Sequence, residues 1–326
     1  MHIHRTRNII ADEETNQLES KWWDKNAQVI EAIWTLPGSI RLAVREHYLK
    51  RAKSFFLWSS ESSKPLKVIE IGCGSGWVGR IIAEPNIINI VGLDMSEQQI
   101  QIANQEAIKA NISETCQYYC QDLANFVMSE NSNYSSVLIH AILHHLSWQE
   151  IHSIFQQIVA LGSGTKIFVY EPVYLSKHYR NNSFLWRTLR KTVKVMFGFP
   201  YSLGKLFAYR FEKSYDESLA KEINYITEEA SKNNWVLSPK EIVFEELELL
   251  ELLENYCKIK DRYLCNYNSI RVGQIAAMYK SEELHQQFRQ IVLPLSRHID
   301  NFLFSSGLLS CINNDYVFMG YECILK

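Results

Sequence analysis

The segment VIEIGCGSGWVGR, Val68 to Arg80, changes character halfway along. Its first half is β-branched and apolar, as a buried strand requires. Its second half places glycines at alternate positions and then turns helical. A strand feeding a glycine turn and a helix N-terminus suits a nucleotide. Small residues admit the ligand to the backbone N–H groups, and the helix end adds partial positive charge. Two readings of the turn compete. Gly74 to Gly79 matches GxGxxG, a dinucleotide pattern that is weak when alone. The other begins earlier, at Glu70-x-Gly72-x-Gly74-x-Gly76, with Cys73 inside it. A carboxylate near the end of a buried strand is costly without a partner. A ligand that carries a cation and no phosphate would supply one.

Outward from this turn, strands alternate with helices. INIVGLD reads as a second strand and SEQQIQIANQEAIKA as its helix, with Ser96 as N-cap. CQYYCQD is a third strand and SSVLIHAIL a fourth. The helix SWQEIHSIFQQIVAL follows, capped by Ser147, and GTKIFVYEP is a fifth strand. This alternation predicts an α/β fold, a parallel sheet covered on both faces. Residues 1–64 form a helical cap ending in a polar linker from Ser59 to Pro65, and residues 65–172 form the nucleotide-binding core. Residues 173–240 are a helical, basic and aromatic insert. Residues 241–326 complete the core: PKEIVFEELELLELLENY as a helix, then the strands CKIKDRYLC and YVFMGYECILK around a helical insertion at about 269–309.

Three acids stand at the ends of the first three strands: Glu70, Asp94 in VGLDMS and Asp122 in YCQDLAN. Asp94 is placed to accept both hydroxyls of a ribose. Asp122 is placed to accept an adenine amine, or else to cap a helix. On the segments VIEIGCGSG, VGLDMSEQQIQIA, CQDLAN and HAILHHLSW the chain resembles the class I S-adenosylmethionine-dependent methyltransferases. The resemblance covers about Pro65 to Pro172 and the closing strand pair. It implies a seven-stranded Rossmann-like sheet with a final antiparallel hairpin, and S-adenosylmethionine as cofactor. It also implies that Glu70, Gly72, Cys73, Gly74 and Gly76 line the methionine part. Asp94 would hold the ribose and Asp122 with Leu123 the adenine, with Met95 and His140 also beside the cofactor. One departure is visible: the family's fourth strand often opens with an acid after an aromatic, whereas Tyr134 is followed by Ser135 and Ser136.

His140, His144 and His145 sit at and beyond the end of strand four, on the edge that by this resemblance faces the methyl group. Methyl transfer chiefly requires placing the nucleophile behind the reactive carbon. A base is needed only where the acceptor is protonated. His144, after the leucine of LHH, matches the position where some small-molecule relatives keep a catalytic histidine, and His145 is the second candidate. Neutral imidazoles also suit packing and capping. His140 and His144 are spaced i, i+4, but no third ligand stands near them, so no metal is expected. Trp22, Trp23, Glu171 and Tyr174 are candidate walls for the acceptor, although the tryptophans equally suit plain core packing. Oxygen is the first choice of acceptor atom, with nitrogen and carbon open. A nicotinamide-dependent oxidoreductase and a non-catalytic cofactor-binding scaffold are the rival readings.

The 326 residues carry a formal charge of −2, which gives no overall pull toward nucleic acid or anionic membranes. The seven cysteines are scattered, odd in number and without a CxxC pair, as expected of free thiols in the cytoplasm. The amino terminus lacks the apolar core of a secretory signal, and no run reaches the ~18 apolar residues of a spanning helix. The even total conceals a contrast. Residues 173–211 hold eight Lys or Arg, ten aromatics and no acid, and taking those eight from −2 leaves −10 for the rest. Arg187, Arg190, Lys191 and Lys194 share one helical face, opposite Leu185, Leu189, Val193 and Met196. Such a helix could be a lid, a grip for an anionic carrier or a membrane-surface contact. No nucleic-acid-binding module accompanies it. The expected partner is a small-molecule, peptide or lipid-like acceptor of specialised metabolism.

Overall fold

The computed structural model describes residues 13–35, 40–58, 65–122, 133–175, 188, 191–192, 195, 198–235, 237–309 and 316–326. Two helices, α1 (Glu13–Thr35) and α2 (Ile40–Leu57), precede the sheet. The alternating part runs β1 (Leu66–Ile71), α3 (Trp77–Ile82), β2 (Ile88–Asp94), α4 (Glu97–Lys109), β3 (Cys116–Cys120), β4 (Ser136–His140), α5 (Trp148–Val159) and β5 (Lys166–Tyr174). Then come α6 (Phe199–Tyr209), α7 (Glu217–Lys232), β6 (Phe244–Glu245), α8 (Glu246–Tyr256) and β7 (Cys257–Asn266). Helices α9 (Asn268–Ala277), α10 (Glu282–Gln287) and α11 (Leu293–Ser305) lead to the closing strand β8 (Val317–Leu325).

The strands form one mixed sheet in the order β3-β2-β1-β4-β5-β8-β7, with the two-residue β6 pairing to the end of β5. β1 to β5 are parallel, and β8 lies antiparallel between β5 and β7. This is the Rossmann-like α/β sheet with a closing antiparallel pair that the sequence predicts. Side chains alternate across a strand, so β1 sends Val68 and Glu70 to one face and Ile69 and Ile71 to the other. Val68 packs with Tyr48, Phe56, Val78 and Ile100 of α2, α3 and α4. Ile69 and Ile71 pack with Ile151 and Phe155 of α5 and Leu249 and Leu253 of α8. Each such side chain contributes about 1.5–3 kcal/mol by leaving water. A third cluster ties α2 to the later helices: Ile40 and Val44 meet Val272, Ala276 and Phe288.

Both helix caps read from the sequence are present. Ser96 accepts from the Gln99 N–H, and Ser147 forms a reciprocal capping box with Glu150. Several boundaries differ. β4 ends at His140, three residues before Leu143, and β5 runs on past Pro172 to Tyr174. β3 ends at Cys120, two residues short of Asp122. The segment PKEIVFE is a turn at Pro239 and Lys240 followed by extended chain, rather than helical. Ile242 N–H donates to the His144 carbonyl at 2.7 Å, and Phe244 and Glu245 pair with β5, so tertiary hydrogen bonds override the helical pattern until Glu245 caps α8. The linker at 59–64, Leu123 and most of the basic face (Arg187, Arg190, Lys194) lie outside the described residues.

Candidate active site

At the carboxyl edge of the sheet, where the connections diverge between β1 and β4, lies a cavity of about 680 Å3. That volume is within the range of ligand sites, roughly 300–1,000 Å3. Its lining includes the glycine turn, Asp94, Met95, Asp122, His140, His144, His145, Trp22, Trp23 and Tyr174. The turn itself is held closely. Gly72 has φ of 66°, and a Cβ there would lie 2.3 Å from Ile142 Cγ1. Gly76 has φ of 70°, and a Cβ would meet the Tyr118 ring at 2.5 Å. Only glycine fits either place. Tyr118, which carries no local signal in the sequence, donates from its hydroxyl to the Gly76 carbonyl at 2.8 Å and props the turn. Asp94 accepts from Gly74 N–H at 2.8 Å and from Ser96 N–H at 2.9 Å, so its carboxylate is fixed facing the turn.

Glu70 is buried, and its Oε2 has no hydrogen-bond partner. Burial pushes its carboxyl up to about 8; the Arg80 guanidinium and the Gly79 backbone pull the other way without prevailing. A buried acid that has lost its hydration and gained no full partner is the feature the sequence pointed to. Glu241 Oε2 and Trp22 Nε1, both on the cavity lining, are also buried without a hydrogen-bond partner. Native interiors rarely leave such atoms unpaired, and a ligand is one remedy.

The histidines divide into three environments. His140 ends β4, stacks on Tyr170 at 4.3 Å and bonds the Tyr48 hydroxyl at 2.9 Å. Burial, then the Arg45 charge, hold its ring down to about 3, so it is neutral. His144 and His145 lie in the 3-10 turn Leu143–His145, ring centroids 4.0 Å apart. Glu171 sits behind that turn. Its Oε1 accepts from the Ile142 and Leu143 N–H groups at 2.9 and 2.7 Å, and its Oε2 lies 2.6 Å from His144 Nδ1. A carboxylate accepts, so Nδ1 carries the ring proton and donates in this bond, which leaves Nε2 of the neutral His144 ring without one. Burial, then the charge of His145, lower the His144 pKa despite Glu171.

His145 is the opposite case. Burial lowers it, but the hydrogen bond and charge of Glu19, with help from Glu241 and Glu171, raise it overall. Its Nδ1 is 3.1 Å from Glu19 Oε1 and 3.0 Å from the Ser238 hydroxyl. Glu19 also accepts from Trp23 Nε1, the Ser238 hydroxyl and the Lys240 N–H at 2.8, 2.8 and 2.9 Å. Burial raises the Glu19 carboxyl, but His145 and these donors bring it down to about 2. Helix α1 is thereby pinned over the cavity. Lys240 Nζ reaches Glu150 at 2.9 Å and Asn16 Oδ1 at 2.7 Å, and Asp24 accepts from the Ser96 hydroxyl at 2.5 Å.

Of the acceptor walls expected from sequence, Trp22, Trp23 and Tyr174 line the cavity, whereas Glu171 stands one layer behind and fully buried. Sequence reading did not find Glu19, Glu241, Ser238, Lys240 or Tyr118. Glu19 carried a faint signal, four residues before Trp23 on one helical face; the others come from distant segments.

Residues 68–162 match the family model described as a methyltransferase domain. A sterol 24-C-methyltransferase of Gibberella zeae is 27% identical over 187 residues, 55% of this chain and 46% of that protein. A 24-methylenesterol C-methyltransferase of Arabidopsis thaliana is 27% identical over 97 residues, 30% of this chain and 27% of that protein. The chain thus spans less than half the length of these curated relatives. Among solved structures, geranyl diphosphate C-methyltransferase from Streptomyces coelicolor A3(2) superposes with a TM-score of 0.52 at 8% identity, over 96% of this chain and 98% of that one. The [4+2]-cyclase SpnF does so at 0.50 and 15% identity, over 94% of each chain. Likenesses at this identity speak to fold alone, and the cyclase shows that the fold is not one activity.

The residues present fit the cofactor of this family. An orphaned buried carboxylate, Glu70, awaits a cation. The glycine turn has no room for a Cβ at Gly72 or Gly76 and lines the cavity. Asp94 ends β2 where a ribose would lie, and the neutral His140 borders the same space. Residues 68–162 are thus matched as a methyltransferase domain, and the residues that line its cavity fit S-adenosylmethionine.

Proposed function

We propose that the chain transfers a methyl group from S-adenosylmethionine to a carbon atom of a largely apolar, lipid-like acceptor, with His144 as the group that receives the proton the acceptor loses. S-adenosylmethionine, when bound, supplies a methyl group on a sulfonium that an electron-rich atom displaces. The chain's own part is placement, exclusion of water and proton transfer. Trp22, Trp23, Ile223, Ile226, Tyr267 and Phe318 supply an apolar wall for the acceptor. Helix α1, fixed by Glu19 and Asp24, covers the cavity. Glu241, unpaired at Oε2, offers a negative charge to an acceptor that gains positive character.

The observation that carries the proton's destination is the contrast between the two adjacent imidazoles. Glu19 raises the His145 pKa, whereas burial and the charge of His145 lower that of His144, whose Nδ1 faces Glu171. Glu171 is a positioning residue. The preference for carbon rests on the curated relatives, whose printed names are sterol C-methyltransferases. Oxygen, the first choice from sequence, would use the same imidazole. Transfer of a carbon-13 methyl group into a panel of isoprenoid and sterol acceptors, read by NMR, separates the two. A methyl bonded to carbon supports this reading; a methyl bonded to oxygen overturns the choice of atom, and no transfer to any apolar acceptor overturns the acceptor class.

A further inference from the structure

Helix α6 has two contrasting faces. Pro200, Gly204 and Ala208 are buried, and a Cβ on Gly204 would touch the Phe288 ring at 3.4 Å, so this side is tightly seated. The other side presents large apolar residues to water: Phe199 is 54% exposed, Leu206 60% and Tyr209 74%. Residues 199, 206 and 209 fall on one helical stripe. Exposed large side chains clustered in this way mark an interaction surface rather than chance exposure. Lys205 and Arg210 border the stripe, both exposed, and neither has an ion-pair partner among the described residues. Lys205 Nζ lies 4.8 Å over the Tyr201 ring. Upstream, Lys191 and Val195 are exposed as well.

We propose that the outer face of α6 docks on an anionic lipid bilayer, lying in the interface without crossing it. Charge selects this occupant. The surrounding residues 173–211 carry eight Lys or Arg and no acid, while the remainder of the chain is net acidic. A bilayer with anionic headgroups attracts this face and repels the rest, and the apolar stripe enters the acyl boundary. Aromatic side chains beside basic ones suit that interface. No helix among the described residues is long and apolar enough to cross a membrane. The seated side of α6 packs on α9, whose Ile270, Arg271 and Gln274 line the cavity. The docking face is therefore one helix away from the place where an apolar acceptor would bind.

The test is co-sedimentation of the full chain with vesicles, without cofactor or acceptor, so that its outcome is independent of the reaction proposed above. Binding is expected to vesicles containing phosphatidylglycerol and to weaken strongly on pure phosphatidylcholine. The pair Lys205→Ala and Arg210→Ala should weaken binding roughly thirtyfold, at about 1 kcal/mol for each basic residue near an anionic surface. The pair Leu206→Asp and Tyr209→Asp should abolish it with an unchanged melting temperature; should that pair fail to fold, the Lys205 and Arg210 pair decides alone. Equal binding to both vesicle types, or wild-type binding by the Lys205 and Arg210 pair, would overturn the proposal. So would a dimer in sedimentation velocity that Leu206→Asp dissociates, which would make this face a contact between copies.

Discussion

Replacing Glu70 with Gln should stabilise the protein without ligand and weaken the ligand that the turn holds. The carboxyl moves from 4.5 to about 8 on folding because burial strips its water and no full partner replaces it. Between those two values the unfolded chain has released its proton and the folded chain has not. Stability therefore falls as pH rises through this window and levels off above 8. At about 1.36 kcal/mol per pH unit the full penalty is roughly 5 kcal/mol, of which about 3 kcal/mol is felt at pH 7. Glutamine is isosteric and uncharged, so it escapes the penalty at every pH. Urea unfolding from pH 5 to pH 9 should show wild type losing stability with rising pH and Glu70→Gln losing much less. With saturating S-adenosylhomocysteine the order should shrink or invert, because the ligand's ammonium gives the Glu70 carboxylate its counter-charge. Parallel pH profiles for the two proteins, or a Gln variant less stable than wild type at pH 8, would refute this view of the turn.

Glu171→Gln should lower kcat by about ten- to a hundredfold with little change in KM, since the carboxylate orients His144 and does not border the cavity; an equal rise in KM would mean that it binds the acceptor after all. His144→Ala should cost about a hundredfold or more in turnover at unchanged cofactor affinity, measured by calorimetry, whereas wild-type turnover would reduce this ring to packing. Glu19 falls from 4.5 to about 2 on folding, so its share of stability, roughly 3 kcal/mol, is present above pH 4.5 and lost as pH falls toward 2. Acid unfolding of Glu19→Gln should accordingly be less steep in that window than that of wild type. Gly72→Ala, which drives a Cβ into Ile142 at a left-handed φ, should abolish cofactor binding or prevent folding, and a soluble variant of wild-type affinity would contradict the geometry of the turn.

The sheet was legible because its signals are local. Each strand is a short β-branched run, each following helix has its cap in sequence, and Ser96 and Ser147 cap as their positions require. The same holds for Glu70: an acid in an apolar strand is conspicuous wherever the chain goes next. The segment before α8 was not legible, because its extended form depends on Ile242 reaching the His144 carbonyl and on pairing with β5. Glu171 illustrates a second limit. It lies within strand five, and whether a side chain there faces the cavity or the layer behind it depends on which backbone N–H groups claim its oxygens. The opposite pKa shifts of His144 and His145 lay further out of reach. They are set by Glu19 from α1 and Ser238 from the insert, segments more than 90 residues away on either side.

Calorimetric titration of the full chain with S-adenosylhomocysteine, and separately with NAD, tests most directly whether the glycine turn and its acids serve an adenosyl amino acid. Saturable heat with S-adenosylhomocysteine, abolished by Gly72→Ala, and none with NAD is the predicted result. Saturation by NAD with no heat from S-adenosylhomocysteine would contradict it.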